Sequence, residues 1–427
     1  MSIKGPRLAA IALLTRILDH RQTLDEALGQ EKLYDQLEGS DRGFARAMTS
    51  AALRSLGKLE LILSKHVTGR GFSQLDPDVK QVLRIGAAQI CVLKTPAHAA
   101  VSETVEAARG VEGAKRAGGL INAVLRKLNE DDLETLPGPS TEIWPEGFAV
   151  RLEAAVGADA ANALAEAQSD TPPLDLTCLS DRKLYADRLG GEEIGPASIR
   201  LDGGMVESLM GYEGGAWWVQ DVAATLPVHI MAPKKGERIL DMCAAPGGKT
   251  LQIAVTGASV TALDRSAKRL RLVKQNLERT NLKAETLAAD ATKWTAPEPF
   301  DGVLLDAPCS ALGTLRRHPE GPWIKSEEDL SRFPQIQARL LRAAADMVGP
   351  SGRLIYCVCT PMPREGVEIV DEFLEVMPGW KREPVTAEEV AGFEKAVTDK
   401  GDVLTLPGSC EFERGCDAFY ISRLVRA

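Results

Sequence analysis

Eight cysteines are spread over the 427 residues, and two of them stand where a thiol can react. Cys309 follows Asp306-Ala307-Pro308, and Cys359 belongs to Tyr356-Cys357-Val358-Cys359-Thr360; each lies just past an apolar run that reads as a strand, and so opens a loop. A loop thiol can be exposed, and its pKa is adjusted by nearby cations such as Arg316, Arg317 or Arg364. Cys357, inside its run, reads as a small buried hydrophobe. Zinc is a poor alternative, because it needs four well-spaced ligands and the chain has five histidines and no paired CxxC knuckle.

The residues around these thiols supply negative charge in series. Asp241, Asp264, Asp290 and Asp306 each close a short apolar run. One such aspartate is most often a helix cap, but four at successive strand ends form an electronegative rim. That rim suits a nucleoside carrying positive charge rather than phosphate. Asp264 comes 23 residues after Asp241, about the spacing at which a second-strand acid meets ribose hydroxyls. Between them, Cys243-Ala244-Ala245-Pro246-Gly247-Gly248-Lys249 is a small-residue turn into a helix, where backbone can approach a ligand closely. Gly248-Lys249-Thr250 imitates the end of a triphosphate loop, yet Cys243 occupies the place of its first glycine, which argues against a nucleotide triphosphatase. S-adenosylmethionine, a sulfonium, fits the cradle formed by residues 243–249 with Asp264, Asp290 and Asp306. A sulfonium methyl donor beside reactive thiols points to methylation of pyrimidine carbon 5, which becomes nucleophilic only after a thiolate adds to carbon 6. Asp306 then stands beside the base edge. Spacing leaves open which cysteine attacks.

Such a rim requires parallel strands, and the sequence supplies them. From about residue 237, strands at Arg238 to Met242, Ser259 to Leu263, Gly302 to Leu305 and Arg353 to Tyr356 alternate with helical segments, as in a parallel sheet covered on both faces. The first 130 residues read instead as helices. Leu8, Ile11, Leu14 and Leu18 form one stripe, and Asp76-Pro77 opens a helix that Thr95-Pro96 stops. Pro137, Gly138, Pro139 and Pro145 mark an exposed connection. A helical segment near 148–168, a strand at Leu174 to Thr177 and another near 198–201 then suggest a small α+β connector. The expected domains are therefore 1–136, 140–204 and 205–427.

Composition bounds the partners. With 44% hydrophobic and 26% charged residues the chain is a packed globular protein. No run of eighteen apolar residues occurs, and Arg16 and Asp19 break the N-terminal apolar stretch, so a cytoplasmic, reducing setting with no membrane partner is expected. The net charge is −9, but residues 1–130 hold 19 Lys and Arg against 14 Asp and Glu. That modest excess is compatible with ordinary surface variation.

The series DMCAAPGGKT, ALDRS, AAD, DAPCSALGTLRRHPE and YCVCT closely resembles the RNA cytosine-5 methyltransferases of the RsmB/Sun type. The segments PAHAAVSETV at 96–105 and GLINAVLR at 119–126 resemble the NusB-like RNA-binding domain fused to these enzymes. The resemblance implies an all-α NusB-like domain, the connector, and a Rossmann-like class I methyltransferase domain whose last strand, around Ala418 to Arg423, is antiparallel. It implies Cys359 as the nucleophile and Cys309 as the residue that assists product release. It also implies S-adenosylmethionine as cofactor and RNA as substrate, small-subunit (16S) ribosomal RNA before transfer RNA, with Arg316, Arg317 and His318 on the substrate. A monomer without DNA partners is expected. A noncatalytic RNA-binding or antitermination factor is the rival reading, and it has no need of Cys309, Cys359 and Asp306 together. The sequence departs from the family pattern at Cys357-Val358-Cys359-Thr360, where Ser-Thr-Cys-Ser is usual, at Arg364-Glu365-Gly366, where Glu-Glu-Asn is common, and around 168–173, where an Asn is missing.

Overall fold

The computed structural model describes residues 5–69 and 71–427. The chain forms two compact units, one of Met1–Thr171 with Leu315–Ser326 and one of Pro172–Thr314 with Glu327–Ala427.

The first unit is helical. Its opening helix, Pro6–His20, buries Leu8, Ile11 and Leu14, and Leu18 packs against the same core. Asp76 caps the helix Pro77–Ala87 by accepting the Asp78 N–H at 2.9 Å, with Pro77 at the first position; the helix runs on as a π turn, Ala88–Val92. Leu13, Leu53, Leu59 and Leu83 are fully buried, and each leucine so buried contributes roughly 1.5–3 kcal/mol. The compact helical unit runs on to Thr171. It includes the helices Glu146–Val156 and Ala158–Ser169, broken at Gly157.

A distant segment, Leu315–Ser326, also belongs to the helical unit. Ile324 and Trp323 join its core, and the buried Glu320 accepts the Leu24 N–H at 3.2 Å. Arg54 Nη1 donates to the carbonyl oxygens of Gln168 (2.7 Å), Asp170 (2.8 Å) and Arg316 (2.8 Å), so one guanidinium gathers three stretches of chain.

The second unit holds two sheets. Strands β1 (Leu174–Cys178), β2 (Glu192–Ile194), β3 (Ser198–Leu201) and β4 (Trp217–Val219) form an antiparallel sheet in the order β2-β3-β1-β4. The second sheet contains β5 (Arg238–Met242), β6 (Ser259–Asp264), β7 (Glu285–Ala288), β8 (Phe300–Asp306), β9 (Val348–Val358), β10 (Trp380–Arg382), β11 (Val403–Thr405) and β12 (Phe419–Arg426). Its order is β10-β12-β9-β8-β5-β6-β7, with β11 also on β12. β5 to β9 are parallel, and β12 enters antiparallel beside β9. The sheet reverses its winding direction at β5, with β6 on one side and β8 on the other, and ligands of such sheets bind outside the strand ends at that point. Among the described residues no helix is long and apolar enough to cross a membrane.

Candidate active site

The turn after β5 is shaped by its backbone. Cys243 adopts φ 63 and Gly247 φ 110, both left-handed, and the Ala245–Pro246 peptide is cis. At Gly247 a Cβ would also stand 3.3 Å from Val273, so a side chain there would be strained by conformation and crowded by the neighbouring helix, Ala267–Thr280. The helix Gly248–Val255 follows immediately. Asp264, at the end of β6, ties this turn to the next: its Oδ2 accepts the Ala245 N–H at 3.2 Å and its Oδ1 the Ser266 N–H at 2.8 Å. Arg269 approaches the same carboxylate at 3.3 Å.

Three of the four predicted acids converge. Asp241 is fully buried; Thr250 Oγ1 donates to its Oδ2 at 2.5 Å, while its Oδ1 has no partner. Burial pushes the Asp241 carboxyl up to about 7, against the Thr250 hydrogen bond and with the help of Asp306 and Asp264. The Cys243 thiol is pushed up to about 12 by burial and then by Asp306, Asp264 and Asp241 in turn. Asp306 and Asp264 are each paired with a cation, Lys249 and Arg269 respectively. Asp290, two residues beyond β7, uses its Oδ1 to accept from the N–H (3.0 Å) and hydroxyl (2.7 Å) of Thr292, a local turn of the kind strand-end aspartates make.

The spacing places Lys249 in the cofactor cradle, and its side chain turns to β8. Its Nζ is 2.9 Å from Asp306 Oδ2 and lies over the Phe419 ring at 5.0 Å. Burial works against the ammonium, but the Asp306 carboxylate, with the Cys357 and Asp241 charges, outweighs it and the pKa is raised. The sequence signal for this pairing was present, since Lys249 follows one strand end and Asp306 closes the neighbouring one.

The two cysteines meet. Cys309 Sγ is 3.2 Å from Cys359 Sγ, although 50 residues separate them. Parallel pairing of β8 with β9 sets Asp306 opposite Cys357, and the loops beyond are then joined by Gly313 N–H to Cys359 O (3.0 Å) and by Ser310 Oγ to Thr360 Oγ1 (3.0 Å). A Cβ on Gly313 would fall 1.9 Å from the Ala418 carbonyl oxygen, so only glycine allows this approach. Cys357 is buried in its strand, as expected, with its thiol donating to Asp306 Oδ1 at 3.6 Å. The Cys309 pKa is raised by the hydrogen bond to Cys359, by burial and by the Cys359 and Glu365 charges. Arg316 and Arg317 belong to the helical unit, where Arg316 is buried. His318, in the same segment, is exposed and stands 3.6 Å from Glu320.

Residues 228–425 match the family model described as 16S rRNA methyltransferase RsmB/F, and residues 4–130 match the NusB family. The Ribosomal RNA small subunit methyltransferase B of Vibrio vulnificus (strain YJ016) is 33% identical, covering 98% of this chain and 99% of that protein. The protein of the same description from Cronobacter sakazakii (strain ATCC BAA-894) is 31% identical, covering 100% of this chain and 99% of that one. This chain belongs to the RsmB/F methyltransferase family. In fold it matches the solved structure of PH0851 with a TM-score of 0.75 over 100% of both chains, at 21% identity. The resemblance drawn from DMCAAPGGKT and DAPCSALGT, the NusB-like helical domain and the Rossmann-like methyltransferase domain all hold.

S-adenosylmethionine is the cofactor of this RsmB/F fold. The residues present fit it. The orphaned Asp241 Oδ1 and the Asp264 and Asp306 carboxylates nearby suit a group that carries positive charge, and the turn Cys243 to Gly247 leads directly into a helix N-terminus. Asp264 and the turn Cys243 to Gly247 would hold the group, which supplies the methyl carbon.

Proposed function

We propose that this enzyme methylates carbon 5 of a cytosine in RNA through a covalent bond between Cys359 and pyrimidine carbon 6. The observation that supports it is the 3.2 Å approach of the two thiols beside the Asp306–Lys249 pair. In the reaction the Cys359 thiolate adds to carbon 6, and the electron pair displaced from the carbon 5–carbon 6 double bond makes carbon 5 nucleophilic. Asp306 holds the base edge, with Lys249 balancing its charge. After carbon 5 has gained the methyl group, its proton passes to solvent, the double bond re-forms and the carbon 6–sulfur bond breaks. Cys309, kept as a protonated thiol, donates a hydrogen bond to the departing Cys359 thiolate and so assists release. The target base must leave its stack to reach Cys359, which favours a loop or bulge over a regular duplex. Two curated relatives are named for the small ribosomal subunit RNA, and that RNA is the substrate proposed here, acted on by a monomer with Arg317 and the exposed His318 on the RNA, while the buried Arg316 is left out of that contact; transfer RNA is the alternative.

The test is the fate of each cysteine. Cys359→Ala should form neither methylated RNA nor an adduct. Cys309→Ala should still attack and transfer the methyl group but stall before release, leaving a slow-migrating protein–RNA band on a denaturing gel. A band in Cys359→Ala alone would exchange the roles. No band in either variant, with normal methylation by both, would remove covalent catalysis altogether.

A further inference from the structure

Glu365 lies six residues beyond the nucleophile and is 3% exposed. It closes the single turn Pro363–Glu365, which is fixed to β9 by a hydrogen bond from the Tyr356 hydroxyl to the Glu365 carbonyl oxygen at 2.6 Å. Its carboxylate Oε2 accepts the Ser310 N–H at 2.8 Å and the Gln337 amide at 3.0 Å. Gln337, fully buried on the helix Glu327–Met347, also donates to the Pro308 carbonyl at 3.0 Å. The amide thus spends both N–H groups here, and the carbonyl before Cys309 and the N–H after it are held by the same two side chains.

Burying a carboxylate is costly unless its hydrogen bonds are met, and here they are met by a peptide N–H and an amide on the turn that carries Cys309. Building on the covalent reading above, we infer that Glu365, seconded by Gln337, is a positioning residue for product release: it holds the turn Pro308 to Ser310 so that the Cys309 thiol stays against Cys359. Its charge acts in the same sense. After the Cys359 hydrogen bond, burial and the Cys359 charge, Glu365 is the next influence that keeps Cys309 protonated and therefore able to donate.

The experiment follows Glu365→Ala and Glu365→Gln in the full chain, with calorimetric binding of S-adenosylmethionine as the check on folding. Glu365→Ala should bind cofactor normally and complete the first methyl transfer. Its multiple-turnover rate should fall roughly 10- to 100-fold, the effect of a small misplacement of a reacting group, while a protein–RNA band accumulates. Glu365→Gln keeps an acceptor for the Ser310 N–H and should restore most of the release. Unchanged turnover in Glu365→Ala, or a fall without an accumulated band, overturns the assignment. If Glu365→Ala loses cofactor binding, Gln337→Met decides: a trapped band supports the assignment and its absence overturns it. Cys309→Ala serves as the control. If that variant traps nothing, the covalent reading fails, and the role of Glu365 falls with it; if it traps a band and the Glu365 and Gln337 variants do not, only the positioning role fails.

Discussion

Asp241 is a carboxyl group that folding makes harder to ionise. The unfolded chain releases its proton near 3.8, whereas the folded chain holds it to about 7. Between those values the folded state binds more protons than the unfolded one, so this residue makes stability fall as pH rises through the window and level off above it. In Asp241→Asn that contribution is gone, while an oxygen remains to accept from Thr250. Thermal melts of the cofactor-free chain should therefore show the melting temperature of Asp241→Asn gaining on that of the native chain between about pH 5 and pH 7.5. A constant difference between the two would mean that Asp241 ionises normally. Asp264 makes a separate prediction, because its place at the end of β6 is the one expected of an acid that accepts from ribose hydroxyls. Asp264→Asn should weaken S-adenosylmethionine by about 1.5–3 kcal/mol, the scale of hydrogen bonds to charged groups, and unchanged calorimetric affinity would exclude it from the site. At this scale the sequence was legible where residue type and strand-end position coincide, as at Asp241, Asp264, Asp306, Cys309 and Cys359. It was not legible for Glu365, whose partners are set by how neighbouring loops fold back.

Among the elements, long periodic segments declared themselves and short ones did not. The spacing at Arg238 to Met242 gave β5 at its observed bounds, and the strand expected at Ala418 to Arg423 is β12, antiparallel as the family resemblance implied. The expected helix near 148–168 is two helices, because Gly157 takes φ 86 between them. β4, β10 and β11 have three residues each, too few to show alternation, and exist because a neighbouring strand offers them hydrogen bonds. The small sheet carries a buried ion pair of the kind that pattern reading does not reveal. Arg200 on β3 donates two hydrogen bonds, both 2.8 Å, to Asp175 on β1, and Asp175 also accepts the Val222 N–H at 3.1 Å. Both side chains are buried. Removing one charge strands the other, which costs about 3–5 kcal/mol. Urea unfolding of Arg200→Ala should show a loss of that order, and a loss below about 1 kcal/mol, the range of an exposed pair, would show that water reaches Asp175.

For the whole molecule, charge has to be counted over the units the chain actually forms. Residues 1–130 carry 19 basic and 14 acidic side chains, but residues 131–171 add 1 basic and 9 acidic ones and residues 315–326 add 3 and 1. The helical unit therefore holds 23 basic against 24 acidic residues, and its net charge is −1. The positive excess seen along the sequence belongs to a stretch of chain, not to a folded body. The fragment 1–130 would also lose the carbonyls that Arg54 gathers and the carboxylate that receives Leu24, so RNA binding is best measured on the intact chain. If this unit binds RNA, it must do so through local contacts between cations and phosphates, because its total charge attracts nothing. Local contact and net charge predict different responses to the same change of charge. Replacing the exposed Arg116 and Lys127 by alanine should weaken RNA binding and reduce the salt slope by roughly 0.7–0.9 for each residue that meets a phosphate. Neutralising the exposed Glu146 and Asp159 alters the total by the same amount in the opposite sense, yet under local contact it should leave both affinity and slope nearly unchanged. Equal and opposite effects of the two pairs would show that RNA responds only to the overall charge. An affinity indifferent to both pairs would place the RNA contacts elsewhere and return the excess in residues 1–130 to ordinary surface variation.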